Sequence, residues 1–310
     1  VMAVGLIACG TDKSDNESTK EEKTSVTITS LDASKNEIEL EVPYNPKRIA
    51  ILDLASLDII DELGVGDRVV GMASTSIDYL EKYSNDASIK NLGTIKEADL
   101  EAVMECEPDI IFIGGRLSKS YDALSEIAPV VYLATDTNEG LVNSVSKNAK
   151  TIASIFGMED KVDSLMSDFG ARIDAIKKIS SGKTALVGMT TSGSFNLLGN
   201  DGRCSLIGVE AGFNNLTAAG STSTHGNESS FETVVQQNPD YIFVMDRDSA
   251  ISTAGAKTAK EIVENELVKT TDAYKNNHII YLEHSNVWYT AEGGIQALDI
   301  MLTDLEKGLK

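Results

Sequence analysis

The sequence predicts an α/β protein of two Rossmann-like lobes joined by a single long helix, with a ligand cleft between the lobes. Three observations predict it. Short apolar runs alternate with stretches of helical periodicity on both sides of a proline-free helical segment, and one strand motif recurs in both halves of the chain. A chain of 310 residues is also long for one compact core.

From the beginning, Val1 to Ala8 is an uncharged apolar run that ends in Leu6, Ile7, Ala8, Cys9 and Gly10, the order of a bacterial lipobox. Residues 1–8 are therefore read as the remnant of a signal peptide, and Cys9 as a lipidation site. The stretch from Thr11 to Thr24 is almost wholly Asp, Lys, Ser, Asn, Glu and Thr, which cannot bury a core, so a tether is expected. Alternating segments Val26 to Ser30 and Ile38 to Val42 flank Asp32 to Lys35 and predict a hairpin. Tether and hairpin together occupy 9–44.

An N-terminal lobe follows over 45–140, with buried strands expected at Ile49 to Leu52, Ile110 to Ile113 and Val130 to Leu133. Between Gly140 and Ser180 apolar residues recur every three or four positions, which predicts the connecting helix over 141–180. Gly157 interrupts the pattern and is a candidate break. The second lobe, 181–310, has strands expected at Ala185 to Met189, Tyr241 to Met245 and Ile279 to Leu282.

The repeat carries the most information. Glu101, Val103, Pro108, Asp109, Ile111, Phe112 and Arg116 match Glu232, Val234, Pro239, Asp240, Ile242, Phe243 and Arg247 at one constant offset. Each copy reads as a helix, a Pro-Asp turn, a buried strand and an arginine at the strand's carboxyl end. Ligands of open α/β sheets bind at that end. Each lobe thus presents an arginine toward a shared cleft.

A formal net charge of -21 argues against nucleic acid and anionic membrane surfaces as partners, because both are polyanions. Against that background the six arginines stand out. Arg48, Arg68 and Arg172 fit solvated positions. Arg203 lies in a glycine-bounded loop, Gly199 to Arg203, before an apolar helix. A guanidinium offers a forked donor set and a permanent charge, which suits an oxyanion; a local carboxylate such as Asp246 or Asp248 is the plain alternative partner for Arg247. His225, in the loop Ser223 to Asn227, and Tyr289, in Asn286 to Gly294, precede predicted helices of the second lobe. Both side-chain types ligate ferric iron. His278 and His284 adjoin a strand and are weaker candidates. Three cysteines form neither a disulfide framework nor a zinc motif, and Cys106 and Cys204 are expected as buried thiols. No phosphate loop, nucleophile elbow or acid-base pair implies an enzyme.

The lipobox, the paired Pro-Asp strand motifs ending in arginine, the long helix, Thr224 to Gly226, and Trp288 with Tyr289 resemble the siderophore-binding lipoproteins of iron ABC importers, the catecholate branch above all. The resemblance covers the chain from Cys9 onward. It implies an extracytoplasmic, membrane-anchored, monomeric binding protein with no intrinsic cofactor, whose ferric iron arrives within the siderophore. It implies that Arg116, Arg203 and Arg247 surround the anionic complex beside Trp288, that His225 and Tyr289 complete the iron shell, and that Glu101 and Glu232 dock onto the permease. The segment Glu283 to Val287 is longer than the family pattern and contains His284, a departure that bears on Tyr289. Haem, cobalamin or a bare transition metal is the alternative cargo of the same architecture.

Overall fold

A computed structural model describes residues 21–217, 227–228 and 231–310, with only the backbone described at 227–228. The expected hairpin is β1 (Ser25–Leu31) against β2 (Glu37–Pro43), antiparallel and in register. Its turn is held by the Asp32 carboxylate, which accepts the amides of Ser34 and Asn36 at 2.8 and 2.9 Å.

Strands β3 (Ile49–Leu52), β4 (Val69–Met72), β5 (Lys90–Asn91), β6 (Ile110–Ile113) and β7 (Val130–Tyr132) form a parallel sheet in the order β5-β4-β3-β6-β7. Every residue of β3 and β6 is buried, as strands covered on both faces require. The order reverses between β3 and β6, so a crevice opens beyond their carboxyl ends. The hairpin covers the outer edge, where the Ser30 hydroxyl accepts the Tyr132 amide at 2.9 Å.

The second sheet contains β8 (Thr184–Thr191), β9 (Ser194–Leu197), β10 (Asn214–Asn215), β11 (Asn227–Glu228), β12 (Tyr241–Asp246) and β13 (Ile279–Tyr281). Its order is β11-β9-β8-β12-β13, with β10 also on β8. β8, β12 and β13 run parallel, whereas β9 folds back antiparallel on β8.

The sequence repeat is a structural one. Helix Leu100–Glu105 leads into β6, and helix Phe231–Gln237 leads into β12. Val103 and Val234 point into the cores at 0% and 1% exposure, while Glu101 and Glu232 are exposed. The repeated aspartates tie each strand to its neighbour. Asp109 accepts the amides of Lys47 and Arg48 before β3, and Asp240 accepts the amide and hydroxyl of Thr184 at the start of β8.

The connector differs from the single helix expected. It runs as Leu141–Ile155, a short Val162–Met166 and Phe169–Ser180. The chain turns at Gly157, whose φ is +65°, and a Cβ there would run into the Tyr44 hydroxyl. A side-chain pattern of the right period continues through the break because each short helix buries its own apolar face.

Both lobes also meet through helix Leu54–Glu62 and the C-terminal helix Ile295–Gly308. Asp58, fully buried on the first, accepts the amides of Gln296 and Ala297 at 2.9 and 3.0 Å. It thereby satisfies orphan donors in the first turn of a helix from the opposite lobe.

Candidate functional site

Tyr289 sits on the short helix Ser285–Thr290 and its ring is the point on which three arginines converge. Arg247 is the first residue of helix Arg247–Ala250, immediately after β12, and its Nε donates to Tyr289 Oη at 3.0 Å. Arg116 leaves the carboxyl end of β6 in the other lobe, and its Nη2 donates to the same oxygen at 3.3 Å. Arg203 reaches across with its guanidinium carbon 4.2 Å from the ring centroid, while its Nε donates to the Tyr289 carbonyl at 2.9 Å. The residue after it, Cys204, is held at φ +64°, and its amide donates to Glu292. That left-handed backbone is an uncommon state for a side-chain-bearing residue and fixes the direction in which Arg203 leaves the loop.

Neither Arg116 nor Arg247 forms an ion pair with a carboxylate of the described residues. The two aspartates beside Arg247 are engaged elsewhere. Asp246 accepts the amides of Ser249 and Ala259, and the buried Asp248 accepts the Ser192 amide. Arg247 instead donates to the Thr191 hydroxyl at 3.0 Å, bridging the carboxyl ends of β8 and β12.

This clustering acts on the phenol. Burial opposes ionisation of Tyr289, but the Arg247 hydrogen bond and the charges of Arg203, Arg116 and Arg247 outweigh it and hold the phenol below its ordinary pKa. Burial, with Arg116 nearby, pulls Arg203 down from the usual guanidinium value. A fourth cation, Lys96, which no sequence motif singles out, joins the three arginines. Burial lowers its pKa, and the charges of Arg116, Arg247 and Arg203 add to that. Lys96, Arg116, Arg203 and Tyr289 line one cavity of about 390 Å³, closed on another side by Ile251 and Thr94. Lys96 belongs to no repeat and lies among polar residues with no periodicity, so only the folded chain brings it to the arginines.

Trp288 requires a correction. It is fully buried, and its indole Nε1 donates to Asp304 Oδ2 at 2.9 Å on the far side of its helix from the arginines. Adjacent helical residues diverge by about 100°, so Tyr289 and Trp288 cannot both face the cleft. His284, the weaker candidate beside β13, is paired within the same helix support: its Nδ1 lies 2.7 Å from Asp304 Oδ1. Glu283, His284 and Asp304 are the one grouping of metal-ligating side chains among the described residues, and Asp304 is already occupied in fixing this helix. His278 stacks on Tyr241 at 4.1 Å. Cys106 and Cys204 are free, buried thiols. His225 and Cys9 lie outside the described residues.

Two α/β lobes that each send an arginine from a parallel strand's carboxyl end into a common cationic cleft define a two-lobed solute-binding protein. The chain belongs to the periplasmic binding protein family, whose model matches residues 49–285. It is similar to the petrobactin-binding protein YclQ of Bacillus subtilis, 36% identical over 100% of this chain and 96% of that protein. The crystal structure of YclQ superposes with a TM-score of 0.84, over 92% of this chain and 99% of that one. The periplasmic catecholate-siderophore binding protein VctP of Vibrio cholerae superposes at 0.81 with 30% identity, over 91% of this chain and all of that one. The family is one of binding proteins rather than of enzymes.

Proposed function

We propose that this protein captures an anionic ferric siderophore of catecholate type outside the cytoplasm and delivers it to the permease of an ABC importer. The observation that carries this is the meeting of Arg116, Arg203 and Arg247, drawn from both lobes, on Tyr289. Three guanidiniums held this close repel one another, and an oxyanion-rich complex both relieves that repulsion and supplies acceptors for their donors. Lys96 adds to the same field. The names of YclQ and VctP point to petrobactin and catecholate cargo, which suits the cationic lining of this cavity.

Iron here is cargo, carried inside the siderophore. Tyr289, already inclined to ionise, is suited to ligate ferric iron where the siderophore leaves a vacancy, with His225 as its partner. Glu101 and Glu232, exposed at equivalent places on the two lobes, are the permease contacts in this scheme. Cys9 is the site of the lipid anchor, and the protein acts as a monomer.

Isothermal titration with a ferric bis-catecholate tests the reading. Submicromolar affinity is expected, about -8 kcal/mol or better. Absence of binding by any ferric catecholate, alongside tight binding of haem or cobalamin, overturns it.

A further inference from the structure

A second cavity, of about 300 Å³, lies on the other side of the Tyr289 layer and shares Arg203, Tyr289 and Thr290 with the cationic one. It occupies the crevice beyond β3 and β6, where the strand order of the first lobe reverses. Its polarity is opposite. Arg203 is the one cation in its lining, and it receives two carboxylates, Asp53 from the first lobe and Glu292 from the second.

Each carboxylate is half used. Asp53 caps helix Leu54–Glu62, and one oxygen takes both the Ser56 amide at 3.0 Å and its hydroxyl at 2.7 Å. The other oxygen, Oδ1, hydrogen-bonds to nothing among the described residues. Gly114 leaves room for it, since a Cβ there would come within 2.8 Å. Glu292 Oε2 accepts the Cys204 amide at 3.2 Å, and its second oxygen is likewise without a hydrogen bond among the described residues. The capping role of Asp53 and the loop-holding role of Glu292 explain one oxygen apiece and leave two acceptors facing a cavity.

We propose that this cavity is a subsite for an ammonium-bearing arm of the siderophore, with Asp53 and Glu292 as its acceptors. It rests on the siderophore reading and adds the chemistry of the ligand's second part. A protonated amine is donor only, so it matches acceptors that have no donor. It is also repelled from the arginine cavity and attracted into this one, so the two cavities orient a ligand that carries both charges. Burial pushes Asp53 up, and it pushes Glu292 up to about 7 although the Cys204 amide and the Arg203 charge act against it. Serine, threonine and asparagine side chains at Ser56, Thr135 and Asn148 complete a polar wall for the remaining N–H groups.

Two synthetic ferric bis-catecholates of equal linker length decide the matter, one with an all-carbon linker and one with two secondary amines in it. Isothermal titration at pH 7.5 should show the wild-type protein preferring the amine-linked complex by ~10-fold. The direction is diagnostic, because added positive charge on the ligand should weaken binding if only the arginine cavity is used. In the double variant Asp53→Asn, Glu292→Gln the two complexes should bind alike, with near-ultraviolet circular dichroism unchanged. No preference in the wild-type protein, or a preference that survives in the folded double variant, overturns the subsite while leaving catecholate capture intact. Failure of the wild type to bind either complex overturns the siderophore reading itself.

Discussion

Arg247 Nε donates to Tyr289 Oη at 3.0 Å, and the same oxygen accepts from Arg116, in the opposite lobe, at 3.3 Å. One phenol thus joins the two halves of the cleft. Its ionised form is favoured by every cation around it, which gives a prediction for the free protein. Absorbance titration at 295 nm should show one tyrosine ionising below the ordinary value of about 10, and that step should vanish in Tyr289→Phe. Tyr79, Tyr83 and Tyr281 should ionise late, since burial pushes each upward. An unchanged early step in Tyr289→Phe would assign it to another residue and remove the basis for metal ligation by Tyr289.

Charge and coordination are separable at this site. Arg116→Ala, Arg203→Ala and Arg247→Ala should each weaken every anionic ferric complex by about 1 to 3 kcal/mol per charge-assisted contact. His225→Ala and Tyr289→Phe should weaken tetradentate complexes, whose iron has open positions, and scarcely affect hexadentate ones, whose iron is saturated. The difference follows from donor counting. Equal losses for both ligand types in the His225 and Tyr289 variants would reduce those two residues to hydrogen-bonding or packing roles.

Much of this was legible in the chain, and what was not has physical causes. The repeat from Glu101 to Arg116 and from Glu232 to Arg247 locates two arginines just beyond the carboxyl ends of β6 and β12, because a strand's end is defined by its own local sequence. Arg203 was legible through its glycine-bounded loop. Lys96 was not, because nothing local distinguishes a lysine in a polar loop from a solvated one. The burial of Trp288 is not legible beside Tyr289, because a helix turns residues adjacent in sequence onto different faces. Asp58 and Asp304, which fix the lobes and the Tyr289 helix, gave no signal either; an aspartate in an amphipathic helix reads as its solvated face. The break at Gly157 was visible as a glycine, but periodicity on both sides of it masked the change of direction.

Trp288 offers an independent check on that helix. With zero exposure and its indole bonded to Asp304, it should resist acrylamide quenching and emit to the blue of a solvated indole. Quenching by a bound ferric catecholate is expected through energy transfer to the complex, without contact. Asp304→Ala leaves the Trp288 Nε1 and the His284 amide without their acceptor and should cost about 2 kcal/mol or more in urea unfolding. A stability equal to wild type would show that water replaces the carboxylate.

Docking and capture should also come apart. Glu101 and Glu232 are exposed on helices that precede the repeated strands, and neither lines the arginine cavity. The double variant Glu101→Ala, Glu232→Ala should retain wild-type affinity for the ferric complex yet support reduced iron uptake in cells. A large loss of affinity in the purified double variant contradicts the docking role.

The Asp58 clamp between lobes makes stability depend on pH in a direction opposite to that of most salt-bridged carboxylates. Burial raises its pKa to about 7, against the amides of Gln296 and Ala297, which favour the charged form but do not offset the desolvation. In the unfolded chain the same carboxyl titrates near 3.8. Between these values the folded protein keeps a proton that the unfolded chain has lost, so this group's contribution to stability falls as pH rises from about 4 to about 7 and is level above that. The full effect is at most about 4 kcal/mol, from 1.36 kcal/mol per pKa unit. Asp53, Glu62, Glu210 and Glu292 are raised as well and act with the same sign. Urea unfolding at pH 5.0 and pH 7.5 should therefore find the protein more stable at the lower value, and Asp58→Asn, which has no proton to lose, should show a smaller difference between the two. Asparagine keeps an acceptor for one of the two amides, so the variant is expected to fold, with a lower stability at pH 5.0 than wild type. A wild-type stability that rises between pH 5.0 and 7.5, or an identical pH difference in Asp58→Asn, would mean that Asp58 is ionised throughout and that the helix cap outweighs its burial.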